Sequence, residues 1–479
     1  MFTVIHQSLQ KNAVFLLITL TLLAMWSALL IWNFGLSSYN FRRVVQVIFL
    51  SVIFGVFLSY QTLNGFAQLP FLAKVLIFPG LVFGSCSALM SEYPVKGIQE
   101  VGLYGLLMMS SLLLAKSIDE RRLAGVISVI GLAIGLYGFG YLFHYAVYLQ
   151  YPPDAWRHTV YGFTNPRILN HAQNWLIPLL ALLPLLSKDM GSLVQRLSWV
   201  PLVVMYFFVF LSESRGIVLS LIMSGIAIYL CFRKAITAII RVHIKALIVG
   251  LLAYWILIWL IPFFLGNGLD GFRPLSSALK TYDRVELWIS AWQLTLQNPM
   301  LGVGPQQFIL SSGNGLGSPH NVVLQWLSEW GTLATLCFVI LLLWGSVSYL
   351  VGLKKRLDGG QISGRKAYIQ ISALWAISSA ALHAQISGVL ITPMSQMMMV
   401  LVVGYCLHAH VNDRLMASAQ VKGCELIISK LLVLTLIVLS MIFFIIFYVE
   451  FIQGTYPVSI PFESMTPRFW QNGAFHLIN

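Results

Sequence analysis

Charge is what this chain has least of. Only 9% of its 479 residues are Asp, Glu, Lys or Arg, against about 25% in an average soluble domain. So few charges cannot solvate a globular surface of this size. The composition excludes a disordered chain, a nucleic-acid-binding domain and an ordinary cytosolic enzyme. Cysteine is also scarce. Cys86, Cys231, Cys337, Cys406 and Cys424 include no C-x-x-C pair, so neither a disulfide framework nor a zinc site is expected. No G-x-x-x-x-G-K-[ST] sequence is present for a nucleotide phosphate, and no H-E-x-x-H for a metal. What the chain has in abundance is apolar surface, with 58% hydrophobic residues and a mean hydropathy of +0.83. That defines an all-α, polytopic membrane bundle. At about 20 residues per span, the length holds about 12–13 transmembrane helices.

Apolar windows lie near 13–33, 43–60, 70–89, 98–115, 123–147, 171–187, 199–213, 216–232, 246–265, 320–353, 367–390, 393–410 and 430–449. The first is longer than a signal-peptide core and reads as a retained span. The 70–89 window contains Pro70 and Pro79 and reads either as a span or as a re-entrant segment. The cations then set the orientation. Loops carrying Lys116, Arg121 and Arg122, Lys188 and Arg196, Arg233 and Lys234, Lys354 to Arg356, and Arg365 and Lys366 fall on one side. The opposite side carries Arg157, Arg167, Arg215, Arg273, Arg284 and Arg468 with a single lysine, Lys280. The lysine-rich side is expected to be cytoplasmic, with the N-terminus inside and the C-terminal tail outside. Arg42 and Arg43 run against this rule. The membrane domain is expected over 1–449, with a large outer loop at 266–319 and a short tail at 450–479.

The excess of arginine over lysine outside has no topological use. Arginine binds phosphate as a planar bidentate fork, so an anionic, phosphorylated ligand is expected on that face. Within the outer loop, 282–297 has Val285, Leu287, Ile289, Trp292 and Leu296 at helical spacing, which predicts a helix over the outer mouth.

Four clusters carry candidate chemistry. Ser318 to Gly331 reads S-P-H-N-V-V-L-Q-W-L-S-E-W-G. Ser318 is expected to cap a helix, with Pro319 at its first position and His320 in its first turn. A helix start favours neutral imidazole, which suits a general base. Asn321, Gln325 and Glu329 form a polar stripe, and such residues at membrane depth usually face a bundle interior or cavity. Ser212 to Gly216 holds Arg215 at the surface, to meet a diphosphate or to pair with Glu213. Tyr282-Asp283-Arg284 heads the loop helix, with Arg273 upstream and Gly302-Val303-Gly304-Pro305 following. Asn165-Pro166-Arg167-Ile168-Leu169-Asn170-His171-Ala172-Gln173 leads into a span with amides suited to sugar hydroxyls or phosphate oxygens.

These residues resemble the O-antigen ligase superfamily, also called the Wzy_C group, over about 160–345. The group includes O-antigen ligases, O-antigen polymerases and bacterial protein O-oligosaccharyltransferases. The His320–Gly331 pattern carries the resemblance most specifically, supported by Arg284, Gly302-Val303-Gly304 and the Ser212–Gly216 hairpin. It implies a GT-C-like fold and an inverting, metal-independent glycosyltransferase with no cofactor. The donor would be a glycan on undecaprenyl diphosphate at the periplasmic face of the bacterial inner membrane. The acceptor would be lipid A–core or a pilin-like protein. His320 would be the catalytic base. Arg215, Arg284 and Arg273 would bind diphosphate, and Asn165, Arg167, Asn170, Gln173, Tyr282, Asn321, Gln325 and Glu329 would bind or support substrate. The short tail favours a ligase or a compact pilin-type enzyme. The alternatives are a polymerase and a flippase for lipid-linked glycan. Scarce carboxylates within the spans weigh against cation-coupled transport, and no nucleic-acid partner is expected.

Overall fold

The computed structural model describes residues 2–27, 37–59, 69–150, 160, 162–163, 165–266, 282–312, 316–411, 423–452 and 468–470. Among these residues every regular element is a helix. Each apolar window read from the sequence overlaps helix within the described residues. Among the described residues eight helical stretches are long and apolar enough to cross a membrane, so the chain is an all-α polytopic membrane protein. The Pro166–Leu180 helix is too short by that measure and carries Asn170, His171, Gln173 and Asn174 buried along its length. Polar residues buried in such a bundle mark its functional interior rather than its lipid face.

The segment around Pro79 is a continuous helix, Phe71–Leu89, and not a re-entrant turn. It lies flush against Val322–Asp358. A Cβ on Gly84 would come within 2.4 Å of the Trp330 ring, so this pair of helices needs glycine at their contact.

The two ends of the bundle are chemically distinct. At one end Arg122 bonds Asn12 at 2.7 Å, Lys366 pairs with Glu120 at 3.4 Å, and Arg356 reaches the Ala409 carbonyl at 3.1 Å. At the other end lie His320, Arg284 and the described part of the tail. Arg42 and Arg43 sit at this second end too, and they are buried. Arg42 donates to the carbonyls of Met25 and Gly162, each at 3.1 Å. Arg43 donates to Phe469 O at 2.8 Å, Ile391 O at 2.9 Å, Gln46 at 2.6 Å and Gln396 at 2.7 Å. Their departure from the charge rule therefore has a structural cause. Both serve as donors inside the bundle, where unmet carbonyls are costly.

Val322–Asp358 is broken at Gly331, whose φ is +77°. The break frees backbone groups at membrane depth, and the 298–304 segment docks into them. Val303 N donates to Ser328 O at 2.8 Å, Gly304 N to Glu329 O at 2.9 Å, and Thr332 N to Pro299 O at 2.9 Å. Ser87 adds a bond to Glu329 O at 2.8 Å. Irregular backbone at this depth is tolerated only where protein satisfies it. A Cβ on Gly331 would lie 2.2 Å from Met300 O, so the glycine is required by both conformation and space.

The loop helix forms as expected, at Tyr282–Gln297. Its buried face differs from the expected one. Leu287, Ala291 and Leu294 pack with Phe308, while Val285, Ile289, Trp292 and Leu296 are exposed.

Candidate functional site

The Val322–Asp358 helix begins later than Ser318 and Pro319 suggest. Asn321 is its N-cap, accepting from Leu324 N at 3.0 Å. His320 lies just before the helix with φ +54°, in the left-handed region that costs a non-glycine residue of order 1–3 kcal/mol. Three neighbouring elements hold this conformation. Trp288 of the loop helix donates to Pro319 O at 3.1 Å. Asn321 Nδ2 donates to Gln385 O at 3.1 Å, and Val322 N to Ala384 O at 2.9 Å. Arg468 donates to Gly317 O at 2.8 Å, while His320 N reaches Ser318 Oγ at 3.4 Å.

The His320 ring lines a cavity of about 180 Å³, together with Asn165, Arg167, Ile168, His171, Leu316, Gly317, Ser318, Ser387, Gly388, Ile391 and Thr392. No carboxylate is among these residues. His320 Nδ1 is buried with no hydrogen-bond partner among the described residues. Burial lowers its pKa to about 4, aided by the charges of Arg284 and Arg167. The imidazole is therefore neutral at physiological pH, with one ring nitrogen carrying a lone pair. Arg284, half-buried, is itself shifted down by burial and by Arg167. The cavity wall thus holds one guanidinium group, Arg167, and no carboxylate, and the Arg284 charge is near enough to act on His320.

The other expected residues fall into three groups. Asn165 and Arg167 line the cavity, with Asn165 also capping Pro166–Leu180 through Arg167 N at 2.9 Å. Asn170 and Gln173 lie buried behind it. Asn170 Oδ1 accepts from Ser212 at 3.0 Å, and Gln173 donates to Met205 O at 2.9 Å. Arg215 is exposed at the first residue of Arg215–Phe232. Its neighbour Gly216 lies so close to His383 that a Cβ would meet Nε2 at 2.8 Å. Arg273 and the side chain of Tyr282 lie outside the described residues.

Gln325 and Glu329 do continue the stripe from Asn321, but they do not line the cavity. Gln325 donates to Glu329 at 3.3 Å. Glu329, fully buried, receives both Arg468 nitrogens at 2.8 Å and Phe308 N at 3.0 Å. Arg468 also reaches Glu100 at 2.7 Å. Burial alone lowers the pKa of the Arg468 guanidinium, but the Glu100 and Glu329 carboxylates reverse this and raise it above its ordinary value.

Sequence reasoning missed Ser387, Thr392 and His383. The 367–390 window runs through His383 and Ser387 as if it were one span, and Thr392 falls between it and the next window. In fact the helix ends at His383, and 384–392 is an irregular segment. The signal for it was the Ser387-Gly388 and Thr392-Pro393 pairs, which punctuate an apolar run. His383 Nδ1 bonds Asn174, whose Oδ1 accepts from Ser220 and Ser379, each at 2.9 Å. His171 Nε2 lies 2.8 Å from Ser387 Oγ.

A helical membrane bundle with a neutral histidine and arginines around one cavity describes a class of protein rather than a particular one. Comparison with known families narrows it. Residues 200–339 match the family model Wzy_C, described as O-antigen ligase. This supports the O-antigen ligase superfamily that the motifs resemble, and it points to a glycosyltransferase of the O-antigen ligase or polymerase type. The matched stretch contains Arg215, Arg284, His320 and Glu329. It excludes the cavity wall formed by Arg167, His171, Ser387 and Thr392. No curated protein matches the chain.

Proposed function

We propose that this chain transfers a glycan from undecaprenyl diphosphate to an acceptor hydroxyl at the periplasmic face of the inner membrane, as an O-antigen ligase or a pilin-type oligosaccharyltransferase. One observation carries the reading. His320, a neutral imidazole whose buried Nδ1 has no hydrogen-bond partner among the described residues, lines a cavity with Arg167 and no carboxylate.

In this reading the acceptor hydroxyl bonds to His320 Nδ1. Its oxygen attacks the anomeric carbon from the side opposite the diphosphate, and the configuration inverts. As the new C–O bond forms, the hydroxyl proton passes to Nδ1 and the bond to the diphosphate breaks. Arg284 and Arg215, with Arg273, neutralise the leaving group, which is where charge develops in the transition state. Substrate binding also prepares the base. A bound diphosphate offsets the two arginine charges that add to burial in holding the His320 pKa down, so the imidazole gains basicity when the donor is present. Asn321 serves by fixing the turn that presents His320. Gln325 and Glu329 serve by anchoring Arg468 beneath it.

The test is deletion in the native host, followed by analysis of surface glycans and pilin. Loss of glycan from lipid A–core, with free polymer accumulating, supports a ligase, and unglycosylated pilin supports an oligosaccharyltransferase. Cores capped by a single repeat assign the chain as a polymerase. Unchanged surface products with lipid-linked glycan trapped inside the cell indicate a flippase and overturn the reading.

A further inference from the structure

We propose that His171, Ser387 and Thr392 form a subsite for an uncharged, hydroxyl-bearing ring, the first sugar of the lipid-linked donor. The inference rests on the donor reading above and concerns the cavity wall that the family match does not reach.

Three residues lining this one cavity each carry a buried polar atom with no hydrogen-bond partner among the described residues: His320 Nδ1, His171 Nδ1 and Thr392 Oγ1. Leaving one such group unpaired costs about 1–3 kcal/mol, and native proteins keep few of them. His320 is accounted for by the proposed proton transfer. His171 and Thr392 are not, since the base role needs neither. Both are more than nine-tenths buried, at 7% and 2% exposure.

The chemistry of the wall fits sugar hydroxyls better than phosphate. His171, Ser387 and Thr392 carry no formal charge, with Arg167 one helical turn from His171 on the same cavity. The His171–Ser387 contact at 2.8 Å also makes the wall adaptable. If Ser387 donates to Nε2, the ring proton sits on Nδ1 and the ring presents a donor. If Ser387 accepts, Nδ1 presents an acceptor. Thr392 Oγ1 offers both. Sugar hydroxyls need this mixture of donors and acceptors. At about 180 Å³ the space is below the roughly 300–1,000 Å³ of sites for drug-sized ligands, so it suits one ring and not a chain. The first sugar is the ring that must lie between a diphosphate at the arginines and a hydroxyl at His320.

The experiment measures binding to the full-length protein in nanodiscs, using undecaprenyl diphosphate alone and undecaprenyl diphosphate bearing one hexose. Thr392→Val keeps the shape of the side chain and removes its hydroxyl. With His171→Ala added, affinity for the sugar-bearing lipid is expected to fall about tenfold or more, with affinity for the sugar-free diphosphate unchanged. Equal weakening of both lipids, or of neither, overturns the subsite. A change confined to the KM of the acceptor overturns its assignment to the donor. Wild-type protein that binds neither lipid overturns the donor reading and the subsite with it. Wild-type binding with unaltered variants overturns the subsite alone.

Discussion

Removing Arg468 tests how the tail is joined to the site. In Arg468→Ala, Glu329 loses both guanidinium bonds, Glu100 loses its partner and Gly317 O loses a donor. Arg468 and Glu329 are 2% and 0% exposed, so solvent cannot replace what is lost. Breaking a buried pair by removing one partner costs about 3–5 kcal/mol, chiefly because it strands a buried charge. For a chain of this length that corresponds to a fall in Tm of about 3–5 °C, read by tryptophan fluorescence on detergent-purified protein. The double variant Arg468→Gln/Glu329→Gln strands less charge and is expected to lose less than the sum of its single variants, a coupling that a double-mutant cycle measures. Arg468→Ala with an unchanged Tm, or additive behaviour in the cycle, would refute the argument that this pair seats the tail beneath His320.

Acidity offers a second check. The free-enzyme pKa of His320 is lowered to about 4, so the base is neutral at higher pH and is lost as pH falls through that value. The acidic limb of kcat/KM is expected near pH 4, with Arg284→Gln moving it upward, and a wild-type limb at the ordinary histidine value of about 6.5 would contradict the burial argument. Gly331→Ala places a Cβ 2.2 Å from Met300 O at a φ of +77°, so yield of folded protein should fall sharply, and wild-type yield would show that 298–304 is not held at the helix break. Arg215→Lys keeps the charge but loses the bidentate fork. Transfer is expected to drop at least tenfold, and near-normal turnover would favour an ion-pairing role with Glu213.

Much of the fold could be read in advance because a membrane imposes long apolar runs whose ends are marked by charge. The helix at Tyr282–Gln297 was legible by the same periodicity, but its buried face was not. Lipid and membrane surface compete with protein for an apolar stripe, so Val285 and Ile289 can be exposed while Leu287 and Ala291 pack inward. His320 stood out through its motif and through the arginines near it in the sequence. The partner of Glu329 could not be read, because Arg468 arrives from 139 residues away and no local pattern encodes that meeting. Arg42 and Arg43 misled for a related reason. A charge rule treats every cation as solvated, whereas these two are spent on buried carbonyls.

The account stands most directly on one measurement: glycan transfer by purified protein in proteoliposomes, given undecaprenyl diphosphate-linked glycan and an acceptor, for wild type and His320→Gln. The glutamine can still hydrogen-bond but cannot take a proton at neutral pH. The account predicts a rate reduced by about 10²–10⁴, the usual contribution of a general base, with donor binding retained. Transfer at the wild-type rate by His320→Gln would contradict it.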